Sequence, residues 1–165
     1  MDSSGAVILN ERIRPTVAIE YGAECVHGIS AETLAGAPTW PDIADRVKAA
    51  LDGKPVVAFN ADFDLCMLAQ IADAFGEPFI SLETVCAMEM AAETFGATNR
   101  YGSISLADSV HAAGLDFIGE AHTAAGDALT TAALYEVMKV RLEKRKKARE
   151  YRARVAAKQK PRPII

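Results

Sequence analysis

Two spacings of apolar residues alternate along the chain. Unbroken apolar runs at 6–9 and 55–59, and a third segment at 79–85, are short and bounded by glycine, proline or polar residues, which is the pattern of buried strands. The segments between them repeat their apolar residues at helical steps. Ile43, Val47, Ala50 and Leu51 predict a helix that opens at Pro41 and closes at Gly53 and Pro55. Phe63, Leu65, Met67, Leu68, Ile71 and Ala72 give another, ended by Gly76 and Pro78. A helix is expected over 86–95, and a further one runs from a Ser105 cap through Leu106, Val110 and Ala113 to a stop at Gly114. The longest covers 123–140, where Leu129, Ala133, Leu134, Val137 and Met138 share one side of an Ala-rich stretch. Elsewhere, 16–28 reads as loop with a helical turn, Ser30 as the cap of a short helix reaching Leu34, and 96–103 as a polar surface loop.

Composition sets the scale. Half of the 165 residues are apolar, enough for one domain with a proper core. The apolar face of the last helix fades after Val140, so the chain divides into a domain over 1–140 and a basic helical tail over 141–165, disordered from Lys158 onward. No apolar run approaches the length of a membrane span, and Met1 to Gly5 is no signal peptide, so a soluble cytoplasmic protein with no membrane partner is expected. Cys25, Cys66 and Cys86 are odd in number and lie in or beside apolar segments, which predicts buried thiols rather than a disulfide or a zinc site.

Charge changes the picture more. The net charge of −4 conceals a body (residues 1–138) with 20 acidic and 6 basic residues, net −14, and an end (residues 139–165) with 12 basic and 2 acidic, net +10. An acidic body suits metal binding but repels nucleic acid, whereas a basic end attracts phosphate through counterion release. The tail is thus the candidate for a general nucleic-acid contact.

Two stretches carry candidate chemistry. In the first, Val56 to Leu68, an apolar strand is broken by Asn60 and followed by Phe63 and Asp64 at the start of a helix, a common site position in α/β sheets. In the second, His122-Thr123-Ala124-Ala125-Gly126-Asp127-Ala128, His122 and Asp127 are more than a helical turn apart, with small residues between. Such a floor lets a phosphate backbone and metal ions come close. Bland readings stand beside these: Asp64 as a charge favoured by a helix N-terminus, His122 as a turn residue, Asp127 as a surface charge, His27 as a loop-packing histidine. Arg100 and Tyr101 are either substrate contacts or ordinary loop residues.

Asn60-Ala61-Asp62-Phe63-Asp64 resembles the second motif, and His122 to Ala128 the third, of the DEDDh family of 3′→5′ exonucleases, which includes the epsilon proofreading subunit of bacterial replicative DNA polymerase. Val26-His27-Gly28-Ile29-Ser30 with Ala37-Pro38, then Leu82-Glu83-Thr84-Val85, then Ser105-Leu106-Ala107-Asp108 add matches in the same order. The resemblance spans roughly residues 5 to 140 and implies a ribonuclease H-like mixed sheet flanked by helices. It also implies that Asp64 and Asp127 are metal ligands for Mg²⁺ or Mn²⁺, that His122 is the general base on the attacking water, and that Asn60 and Phe63 position the terminal nucleotide, Phe63 being alternatively a core residue. The family's opening strand, which carries Asp-x-Glu, and the strand beside it are not found. Met1 to Gly5 resembles the turn after the second strand and residues 6–14 the third strand, so Asp2 is expected to be a turn residue.

The function implied is metal-dependent removal of nucleotides from DNA or RNA 3′ ends, of proofreading or repair type, with a DNA polymerase subunit as a partner. The alternatives are a catalytically inactive module of the same fold that binds nucleic acid or a polymerase, and a structural polymerase accessory. A sheet lacking its central strand is expected to lose stability, to self-associate, or to be completed by another chain.

Overall fold

The computed structural model describes residues 1–2, 4–78 and 81–158. In chain order these form α1 (Tyr21–His27), α2 (Trp40–Leu51), β1 (Val56–Ala58), α3 (Ala61–Ala74), β2 (Thr84–Cys86), α4 (Ala87–Phe95), α5 (Leu106–Ala113) and α6 (Ala124–Lys158). β1 and β2 run parallel, pairing Val56 with Thr84, Val57 with Val85 and Ala58 with Cys86, and α3 is the crossover between them. The class is α/β, with the sheet of the described residues reduced to this pair.

The helices form where the apolar spacing predicts them, and their caps show why they start there. Thr39 and Asp42 make a capping box at the head of α2, the Thr39 N–H and Oγ1–H donating to Asp42 Oδ2 at 2.7 and 2.6 Å, with Pro41 in the first turn. Ser105 Oγ accepts the Asp108 N–H at 3.0 Å to open α5, and Gly114, at φ 73°, closes it. α2 buries Trp40, Ile43 and Ala44 against Ile13, Leu68, Ile71 and Phe75, joining α2 to α3 and the N-terminal segment. The second core is larger. Ala87, Ala91, Ile104, Leu134 and Met138 pack with Val57 and Phe59 between the sheet, α4, α5 and α6.

Several expectations are corrected. Residues 6–9 form no strand; Val7 and Ile8 are 55% and 50% exposed. A strand is a property of a pair, and among the described residues no neighbouring backbone meets this run with a ladder. Asp2 does hold a turn: its Oδ1 accepts from the Ser4 N–H, the Ser4 hydroxyl and the Ala6 N–H, and these bonds keep its carboxyl below the usual aspartate range. The segment after Ser30 is a series of turns rather than a helix, tied by the Thr33 hydroxyl to the Ser30 carbonyl at 2.7 Å. The second strand starts at Thr84; Phe79, where the apolar segment begins, lies outside the described residues. Cys25 and Cys66 are exposed and only Cys86 is half-buried. Cys25 sits on α1, which buries nothing, and Cys66 on the outer side of α3, where it accepts from Gln70. His27, expected in a loop, is the last residue of α1, and its Nδ1 accepts the Ile29 N–H at 3.0 Å just past the helix end.

α6 runs without a break past Val140 to Lys158, while residues 159–165, the remainder of the expected disordered end, lie outside the described residues. Two of its arginines close other helices. Arg141 donates to the Ala112 and Ala113 carbonyls at the end of α5 (3.5 and 3.2 Å), and Arg145 to the Glu93 and Thr94 carbonyls at the end of α4 (3.0 and 2.8 Å). Each places a cation at a negative helix end and satisfies carbonyls that the helix itself leaves unpaired. No described helix is long and apolar enough to cross a membrane. Arg145→Ala is expected to cost about 1–3 kcal/mol in urea unfolding, whereas Lys147→Ala, on an exposed face, should stay within about 0.5 kcal/mol of the parent; equal effects would contradict a structural role for Arg145.

Candidate active site

The first stretch leaves β1 and turns into α3. The Asn60 carbonyl accepts the Phe63 and Asp64 N–H groups at 3.0 and 3.2 Å, starting the helix, while the Asn60 side chain makes no capping bond and the residue is exposed. Phe63 is 57% exposed, which removes it from the core and leaves its ring on the surface. Asp64 lies in the same first turn. It keeps an outlet to water, yet the protein around its carboxyl desolvates it and holds its pKa above the ordinary 3.8.

The second stretch is a tight loop folded over the start of α6. Thr123 caps the helix, its Oγ1 accepting the Gly126 N–H at 3.1 Å and donating to the Glu120 carbonyl at 2.7 Å. The buried Thr130 hydroxyl holds the loop from below through the Ile118 N–H at 3.0 Å. His122 adopts φ 63°, the left-handed region that side chains rarely enter, and its N–H donates to Asp127 Oδ1 at 3.3 Å. Two of the sequence-predicted site residues are thereby locked together. Gly126 has a different role from the open floor expected of it. It is buried, and a Cβ there would collide with the Glu120 carbonyl and lie 2.9 Å from Thr123 Oγ1. Its smallness lets its own loop close, which fixes the positions of His122 and Asp127.

One cavity of about 250 Å³ reaches both helices: Leu68, one turn after Asp64, lines it, as do Ala124, Ala125 and Ala128 around Asp127, with Leu9 and Trp40 forming apolar wall. The side chains of Asn60, Phe63, Asp64, His122 and Asp127 do not themselves line it. Glu11, at its rim, is a lining carboxylate that no spacing in the sequence singles out; it pairs with Arg46 at 2.9 Å. Among the described residues, His, Cys, Asp and Glu side chains do not gather in threes suited to a metal ion. The donors present are carboxylate oxygens, the type that Mg²⁺ and Mn²⁺ accept, and Mg²⁺ commonly takes one or two carboxylates together with waters and substrate phosphate. Asp64 and Asp127 fit such an ion in kind.

The family model described as Exonuclease, of the RNase T type, matches residues 8–135, a span that contains both stretches. The chain belongs to this exonuclease family. The exonuclease domain is 31% identical over 147 residues to the uncharacterized exonuclease CP81 of Escherichia phage 186, covering 84% of this chain and 76% of that protein. It is also 32% identical over 128 residues to a DNA polymerase III subunit epsilon-like protein of Rhodobacter capsulatus, covering 76% of this chain and only 17% of that much longer protein.

The raised pKa of Asp64 gives this exonuclease domain a pH signature. Because the folded state favours the protonated carboxyl, it keeps a proton that the unfolded chain has lost, and stability falls as the pH rises from 3.8 through the raised folded value. Asp64→Asn removes that loss. Thermal melts across pH are expected to show the variant above the parent at neutral pH and level with it below 3.8; a constant difference at every pH would contradict desolvation of Asp64.

Proposed function

We propose that this exonuclease domain hydrolyses phosphodiester bonds at the 3′ end of a nucleic-acid strand with Asp64 and Asp127 holding Mg²⁺ or Mn²⁺. The observation that carries the reading is that α3 and α6, each with a carboxylate in its first turn, line one cavity, α3 through Leu68 and α6 through Ala124, Ala125 and Ala128. A bound divalent ion supplies charge neutralisation at the phosphate and eases ionisation of the attacking water. His122, held in its strained conformation by the Asp127 carboxylate, acts as general base toward that water. The Asn60 amide, not used in capping, and the exposed Phe63 ring orient the terminal nucleotide by hydrogen bonding and by packing on its base. DNA is the substrate of choice by analogy with the epsilon-like relative, whose name also supports a polymerase subunit as partner.

A second reading is favoured by one observation, the lack of a three-donor cluster among the described residues. Under it the domain binds nucleic acid or a polymerase without cutting, or its site is completed by another chain seated beside the exposed Val7 and Ile8.

Digestion of a 5′-labelled single-stranded oligonucleotide with Mn²⁺ or Mg²⁺ separates the two. The exonuclease reading gives a ladder shortening from the 3′ end that EDTA and Asp127→Asn abolish, with His122→Ala slower by on the order of 100-fold or more. An intact oligonucleotide that the folded protein still binds would overturn it in favour of the non-cutting module.

A further inference from the structure

Of the basic residues beyond residue 138, not all are available to a partner. Leu134, Met138, Arg141 and Arg145 recur at steps of four, three and four, so they share one face of α6, and that face is spent on the core and on closing α4 and α5. A different face shows the same rhythm: Lys144, Lys147, Tyr151, Arg154 and Lys158 follow one another at steps of three and four. All five are exposed, Tyr151 at 60%. Together they form a stripe about 21 Å long. The Arg154 guanidinium lies 5.7 Å from the Tyr151 ring centre, and Lys147 pairs with Glu143 at 3.4 Å across solvent, a contact of little strength.

We propose that this stripe binds the phosphodiester backbone of a single-stranded nucleic acid, with a base stacking on Tyr151. The choice of ligand rests on the nuclease reading above and on charge: a run of cations with one aromatic among them matches a polyanion that carries stackable bases. A lipid surface fits poorly. Beyond Leu142 the helix offers only Tyr151 and Val155 as large apolar residues, and these do not make an insertable face. Because α6 is continuous, the stripe starts about 25 Å along the helix axis from Asp127. It therefore engages the strand several nucleotides from the end being processed, and Arg141 and Arg145, though basic, set the direction of the helix instead of touching the strand. The division of the chain near Val140 becomes one of task, catalytic domain before it and strand-holding helix after it.

The test is fluorescence anisotropy of a labelled single-stranded oligonucleotide with the full chain in EDTA across a salt series, so that binding is read without hydrolysis. The triple variant Lys144→Ala, Lys147→Ala, Arg154→Ala is compared with the charge-matched Lys146→Ala, Arg149→Ala, Arg152→Ala, with circular dichroism confirming that both keep their helix. The stripe variant is expected to lower the slope of log affinity against log salt by about two, from roughly 0.7 per phosphate contact on single strands, and the matched variant by clearly less. Tyr151→Ala is expected to weaken single-strand binding on the order of tenfold and duplex binding little. Equal losses in both triple variants, or no loss in either, would overturn the stripe. So would concentration-dependent association of the nucleic-acid-free protein that the stripe variant alone abolishes, since the occupant would then be the acidic body of a second copy. Binding as proposed without 3′ digestion would leave the stripe standing and count against the nuclease reading.

Discussion

The burial of Leu134 and Met138 is the interaction on which the rest depends. Both side chains are fully enclosed, packed with Ala87 and Ala91 of α4, Ile104 and the inner residues Val57 and Phe59. At roughly 2–5 kcal/mol for truncating either to alanine, they are among the strongest holds on α6. Everything that α6 presents follows from its being fixed there: the loop that closes on Gly126, the carboxylate of Asp127, the arginines that finish α4 and α5, and the basic helix beyond.

The constraint matters because the sheet alone holds little. Two three-residue strands offer only a short ladder, and the helices around them carry most of the buried surface. Where no helix covers the chain, apolar residues stay in water, as Val7, Ile8, Phe63 and Met67 do. The smaller core, built on Trp40 and Ile43, ties α2 to α3 and so braces the helix whose first turn carries Phe63 and Asp64. Each carboxylate-bearing helix thus rests on its own core, α3 through Leu68 and Ile71 and α6 through Leu134 and Met138.

Much of this was legible in the sequence, and the parts that were not share a physical reason. Helices at α2, α3, α4, α5 and the first half of α6 could be read because apolar spacing and caps are local properties. β1 was legible from its apolar run, but the equally apolar run at 6–9 is no strand, because pairing is decided by a neighbour elsewhere in the chain. The motif around Asp127 was legible as chemistry, yet the purpose of Gly126 was not, since the obstacle is the Glu120 carbonyl six residues away and visible only once the loop is folded. Arg141 and Arg145 looked like solvated charges for the same reason: the carbonyls they reach are 28 to 52 residues distant. The cysteines were expected inside because their neighbours are apolar, but Cys25 and Cys66 lie on uncovered helix faces.

Nuclease action at this site requires the carboxylates at the starts of α3 and α6 to act together. Titration of the protein with Mn²⁺, followed by paramagnetic broadening of assigned amide resonances, tests it most directly. A shared site predicts that the amides of Asn60, Phe63 and Asp64 and those of His122 and Asp127 broaden together at the same low Mn²⁺ concentration. It also predicts that both groups sharpen again in Asp127→Asn. Broadening at one helix start alone, or spread over the acidic surface of residues 1–138, would contradict it.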